Sequence, residues 1–83
     1  MKITIRYFAS IRELVGLSQE TFSTTSETLQ ELRQELIGRG DPYAQALGTD
    51  MVIRMALNQK VSDADAILAD GSEVAFFPPV TGG

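Results

Sequence analysis

Apolar and polar side chains alternate from residue 2 to residue 8: Ile3, Ile5 and Tyr7 fall on one side, and Lys2, Thr4, Arg6 and Phe8 on the other. This is the period of a half-buried strand, so the first set faces a core and Phe8 points away from it. Ser10 and Glu13 have capping-box spacing and, with Leu14 and Val15 ahead of Gly16, predict a single helical turn. A second strand is expected over residues 20–24, anchored by Phe22. Thr28 and Glu31 repeat the capping-box spacing, and Leu29, Leu32 and Leu36 then recur at helical intervals until Gly38, Gly40 and Asp41-Pro42 stop the element. A helical turn over residues 43–47 and a third strand over 52–57 follow. Asn58-Gln59 turns into a short fourth segment at Lys60-Val61, and Asp70-Gly71 turns into a last strand over 72–77.

One long amphipathic helix among several strands predicts a two-layer α+β domain, a single mixed sheet with one main helix packed on one face. The opposite face is left to solvent. If Val74 and Phe76 pack under the helix with Ile3, Ile5 and Tyr7, then Phe77 joins Phe8, Arg54 and Ala56 on that open face. Exposed aromatics beside Ala56 make the open face a candidate docking surface.

Composition narrows the chemistry. A chain of 83 residues accommodates one domain, and a domain of this size buries about 60 to 65% of its unfolded surface. With no cysteine and no histidine, disulfides, thiolate nucleophiles, the usual zinc ligands and a neutral-pH proton shuttle are all excluded. Eleven acidic against seven basic residues give a net charge of −4, which argues against nucleic acid and makes a basic partner the expectation for any electrostatic docking. No apolar run approaches the ~20 residues of a membrane helix, and Arg6 interrupts the only N-terminal stretch that could serve as a signal peptide. A cytoplasmic location without membrane association is expected. Asp63-Ala64-Asp65 lacks the glycine and bidentate glutamate of a calcium loop and is expected to be a solvated acidic turn, so no metal site is assigned.

The last residues, Phe76-Phe77-Pro78-Pro79-Val80-Thr81-Gly82-Gly83, are the most distinctive. Neither proline has an N–H, so the ladder cannot run through Pro78 and Pro79, and the expected division is a domain over residues 1–77 with an extended tail over 78–83. Residues ahead of a proline favour extended geometry, and the β-branched Val80 and Thr81 are stiff. Gly82 and Gly83 have no Cβ and fit a slot too narrow for a side chain. Six extended residues span roughly 20 Å, enough to reach a reactive atom inside another protein. Gly83 is expected to end the chain and present its α-carboxylate. That group, with a reference pKa of ~3.3 to 3.7, is ionised at neutral pH and resists nucleophiles. It must be activated from outside, because the chain has no GxxxxGK[ST] loop to bind ATP itself. An acyl-adenylate at Gly83 could accept an amine, a thiol or sulfide, which leaves a protein modifier and a sulfur carrier both open. A plain interaction module with an inert tail is the third alternative.

The segment DGSEVAFFPPVTGG (residues 70–83) resembles the C-terminus of the molybdopterin synthase small subunit family, sulfur carriers with a ubiquitin-like β-grasp fold. YFASIRELVG (7–16), TLQELRQEL (28–36) and ALNQK (56–60) also sit where that family has similar segments. The resemblance implies that an E1-like adenylating enzyme uses ATP to activate Gly83, with no cofactor stably bound to this chain. A sulfur donor protein then makes a glycine thiocarboxylate, and the tail enters the large synthase subunit. There the sulfur passes to cyclic pyranopterin monophosphate, forming molybdopterin within a heterotetramer of two small and two large subunits. On these terms Gly83 carries the sulfur without being a catalyst. Gly82, Thr81, Val80, Pro79 and Pro78 form the inserted tail, and Phe8, Phe77 and Val61 match partner-binding positions. The catalytic groups are expected on the large subunit, and a carrier for thiazole or tRNA thiolation, or a lysine-conjugated modifier, is the alternative within the same fold.

Overall fold

The computed structural model describes residues 1–79. Its elements are β1 (Lys2–Tyr7), α1 (Ala9–Val15), β2 (Gln19–Ser23), α2 (Leu29–Ile37), α3 (Tyr43–Leu47), β3 (Arg54–Leu57), β4 (Lys60–Val61) and β5 (Glu73–Phe77). They form one mixed five-stranded sheet in the order β2-β1-β5-β3-β4, with β1 and β5 parallel at its centre and the other neighbours antiparallel.

Strand alternation sets the two faces. Ile3, Ile5, Tyr7, Val74 and Phe76 are at most 1% exposed and meet Leu29, Leu32 and Leu36 of α2, which are fully buried. Ile11 and Val15 of α1 and Ala46 and Leu47 of α3 complete the same core. The two-layer α+β arrangement expected from the pattern is therefore the observed one, with two short helices joining α2 on the covered face.

Thr28 caps α2 through its hydroxyl, which accepts from the Glu31 N–H at 3.2 Å, while the Glu31 carboxylate accepts from the Glu27 N–H at 3.3 Å. The amides of Leu29 and Gln30 donate to the carbonyls of Ala66 and Ala64. The Asp63-Ala64-Asp65 turn thus lies against the positive end of α2, where carboxylates are favourable. The acidic turn has a structural role there.

Two expectations are corrected. The capping box at Ser10 and Glu13 does not form: the cap position is Phe8, two residues ahead of Ser10 and with no side-chain bond, and α1 runs seven residues from Ala9. The Phe8 carbonyl accepts from the amides of Ile11 and Arg12 at 3.1 and 3.2 Å, so backbone bonding starts the helix before Ser10 is reached. Strand β3 starts at Arg54 rather than residue 52, because Arg54 pairs with Phe77, the last residue of β5, and the chain then meets Pro78, which has no N–H to extend the ladder.

Candidate functional site

The open face of the sheet is built in rows fixed by register. Arg6 stands opposite Ala75, Ala75 opposite Ala56, and Ala56 opposite Val61, so one row crosses four strands. The adjacent outward row pairs Phe77 with Arg54. Two alanines at the centre leave a trough that larger side chains would fill. The result is an open groove of about 610 Å³ with Ala56 and Ala75 in its floor, bounded by Phe8, Phe77, Val61 and the paired prolines Pro78 and Pro79.

The structure brings together the three candidate partner-binding residues and the first two residues of the candidate tail. Phe8 is 40% exposed and Val61 67%, while Phe77 is partly buried among the groove residues. Val80, Thr81, Gly82 and Gly83 lie outside the described residues.

Phe8 is held from both sides. Its N–H donates to the Phe76 carbonyl at 3.1 Å, which ties the residue to the central strand. Ala9 takes a left-handed backbone at φ +52°, which alanine rarely adopts, and this sharp turn carries the chain from β1 into α1 directly after Phe8. The Arg6 guanidinium lies 5.3 Å from the centroid of the Phe8 ring, within cation–π range. Arg6 also sits 3.9 Å from the Glu73 carboxylate.

Strand alternation pointed to Arg6 and Ala56 as groove residues, and Ala75 and Glu73 follow from the same period. Ala9 and Gln59, which also line the groove, were missed because they sit in turns whose φ angles of +52° and +71° carry no signature in an alanine or a glutamine.

A second polar constellation lies on the covered face. Glu20 Oε2 accepts from the hydroxyls of Tyr7 and Tyr43, each at 2.8 Å, and Arg39 approaches Oε1 at 3.5 Å while stacking 4.4 Å from the Tyr43 ring centroid. Burial, reinforced by the bond to Glu20, raises the pKa of both tyrosines above the ordinary phenol value. With three elements pinned on one carboxylate, this is a structural tie between β1, β2 and α3.

Among the described residues no group of three or more acidic, histidine or cysteine side chains converges to hold a metal ion, and no helix is long and apolar enough to cross a membrane.

A mixed sheet with parallel central strands, a helix across one face and a last strand leading straight into a tail defines a ubiquitin-like β-grasp domain. The sequence profile of the ThiS family matches residues 5–83. A molybdopterin synthase sulfur carrier subunit of Escherichia coli (strain K12) is 43% identical over 81 residues, covering 98% of this chain and 99% of that protein. The chain belongs to the ThiS family, alongside the molybdopterin synthase sulfur carrier subunits.

Two solved structures agree. A putative molybdopterin converting factor subunit 1 from Pyrococcus furiosus superposes with a TM-score of 0.79 at 26% identity, covering 96% of this chain and 99% of that one. A chain of the protein–protein complex of subunits 1 and 2 of the molybdopterin-converting factor from Helicobacter pylori 26695 matches at 28% identity with a TM-score of 0.64, and all of both chains is covered.

Proposed function

We propose that this chain is the sulfur carrier of molybdenum cofactor biosynthesis, the small subunit of molybdopterin synthase. An E1-like enzyme joins the Gly83 α-carboxylate to AMP from ATP, releasing pyrophosphate. Sulfide-level sulfur released from a donor protein then attacks the acyl carbon and expels AMP, leaving a thiocarboxylate. Inside the large subunit the sulfur passes to cyclic pyranopterin monophosphate. Each loaded tail delivers one sulfur, and a dithiolene needs two.

The observation that carries the reading is the continuity of the groove with the tail root: Phe8, Val61 and Phe77 surround the place where Pro78 and Pro79 leave the sheet. A partner seated there receives the tail from a fixed origin. The full-length likeness to a protein named as a molybdopterin synthase sulfur carrier subunit favours this pathway over others that use an activated glycine. The absence of cysteine and histidine from the chain is in keeping with a non-catalytic carrier whose large subunit does the chemistry.

The test is intact-mass measurement after incubation with the activating enzyme, ATP and a sulfur donor. The expected product has one oxygen replaced by sulfur, and with the large subunit and precursor it yields molybdopterin. Deletion of Gly82 and Gly83 should leave the fold and large-subunit binding in place and abolish sulfur transfer. Lysine conjugates as the sole product would make the chain a modifier instead.

A further inference from the structure

The charge on the groove face does not follow the charge of the chain. Of eleven acidic residues, Glu73 is the one that lines the groove, and it is drawn to Arg6 at 3.9 Å. Glu13, Glu27, Glu31, Glu35, Asp41 and Asp50 lie on the helices or in the segments beside them and outnumber Arg12, Arg33 and Arg39 there, and Asp63 and Asp65 flank the start of α2. Arg54, by contrast, is exposed next to Phe77 on the open face and makes no ion pair among the described residues. The open face thus carries Arg6 and Glu73 in the groove lining and, beside Phe77 just outside that lining, the exposed Arg54, on a protein whose net charge is −4.

Resting on the reading of this groove as the docking face, we infer that the surface it meets is acidic, with a carboxylate of the partner opposite Arg54 at the root of the tail. The alanine floor and the aromatic wall give an apolar centre, and a charged rim around such a centre sets orientation and association rate more than affinity. Arg54 is placed to do this because it borders Phe77, the residue after which the tail begins. The acidic helical face adds direction: it disfavours approach of an acidic surface from the wrong side, so the partner is steered onto the groove.

The experiment compares charge-matched variants by titration calorimetry and stopped-flow association with the purified cognate large subunit. Arg54→Gln and Gln34→Glu both lower the net charge by one, but Gln34 is exposed on α2, away from the groove. At low ionic strength Arg54→Gln should weaken binding severalfold and Arg54→Glu at least tenfold, chiefly through slower association. Gln34→Glu should stay within twofold of the parent. At about 1 M salt, where the screening length is about 3 Å, the Arg54 effects should largely disappear. Phe8→Ala is measured alongside. If Phe8→Ala weakens binding while Arg54→Glu leaves it unchanged or tighter, the acidic-partner inference is overturned and the docking reading stands. Unchanged binding by Phe8→Ala overturns the docking reading and this inference with it. Circular dichroism melts of each variant exclude misfolding as the cause.

Discussion

The two faces of the sheet come from the same strands, yet they obey different rules. On the covered face, Ile5, Val74 and Phe76 are completely buried, and large side chains interlock with α2. On the open face, the same strands place Arg6, Ala75, Ala56 and Phe77, with small residues at the centre and large ones at the border. The covered face is filled to exclude water, whereas the open face is left with a trough. A sheet that needed only to be stable would put charged and β-branched residues there, as solvated faces usually do. The difference shows that alternation alone separates a core from an open groove, the proposed docking surface, and that adjacent positions such as Phe76 and Phe77 can be chemically alike and structurally opposite.

The sharpest way to break this comparison is to truncate those two neighbours. Phe76→Ala should destabilise the domain by about 3 to 5 kcal/mol, because a fully buried ring leaves a cavity. That is a large share of the roughly 5 to 15 kcal/mol that holds a small domain together. Phe77→Ala should change stability by no more than about 1 kcal/mol in urea denaturation, while weakening large-subunit binding by about 2 kcal/mol or more, as central aromatic contacts do. Equal destabilisation by the two variants would make Phe77 part of the core.

A second test addresses the covered face through pH. The folded state holds the phenolic protons of Tyr7 and Tyr43 more tightly than the unfolded chain does, because both pKa values are raised. The unfolded chain loses its phenolic protons first, near pH 10. The stabilisation is therefore complete below about pH 10 and declines as pH rises beyond it, at up to about 1.4 kcal/mol per pH unit for each phenol. Urea midpoints measured from neutral to strongly alkaline pH should show this decline. Tyr7→Phe should be less stable at neutral pH, having lost a bond to Glu20, and should show a shallower alkaline slope. An unchanged slope would mean that these phenols do not govern alkaline unfolding.

Much of this arrangement is legible in the residues themselves. Strand alternation at Ile3, Ile5 and Tyr7 and the helical spacing of Leu29, Leu32 and Leu36 give both layers, because burial imposes the period directly. The same alternation puts Phe8 and Phe77 on the open face. What stays hidden depends on long-range or backbone geometry. Glu20 looks like any strand carboxylate, since its partners Tyr7 and Tyr43 lie 13 and 23 positions away and only the fold brings them together. The start of α1 is hidden because Phe8 begins the helix through its carbonyl, while Ser10 and Glu13 carry the usual cap signal without using it. Charge segregation is invisible to the sum of charges, because it depends on which face each arginine takes.

Strain provides the finest distinction between the faces. The non-glycine residues with left-handed backbone among those described are Ala9, Asn58 and Gln59, and both Ala9 and Gln59 line the groove. Asn58 suits this conformation, and its side chain also accepts from the Glu73 N–H at 2.9 Å, whereas Ala9 has no such compensation. Ala9 bears the strain where the chain must leave β1 with Phe8 outward and enter α1 at once. Ala9→Gly removes the Cβ that makes φ +52° unfavourable, at the expense of a more flexible unfolded chain. The balance should be a small gain, about 0.5 to 1 kcal/mol in urea denaturation. Large-subunit binding should be unchanged if the turn only redirects the chain, because Phe8 keeps its bond to Phe76 and its contact with Arg6. A gain in stability accompanied by weaker binding would show instead that the stiffness of Ala9 holds the Phe8 ring in its docking pose.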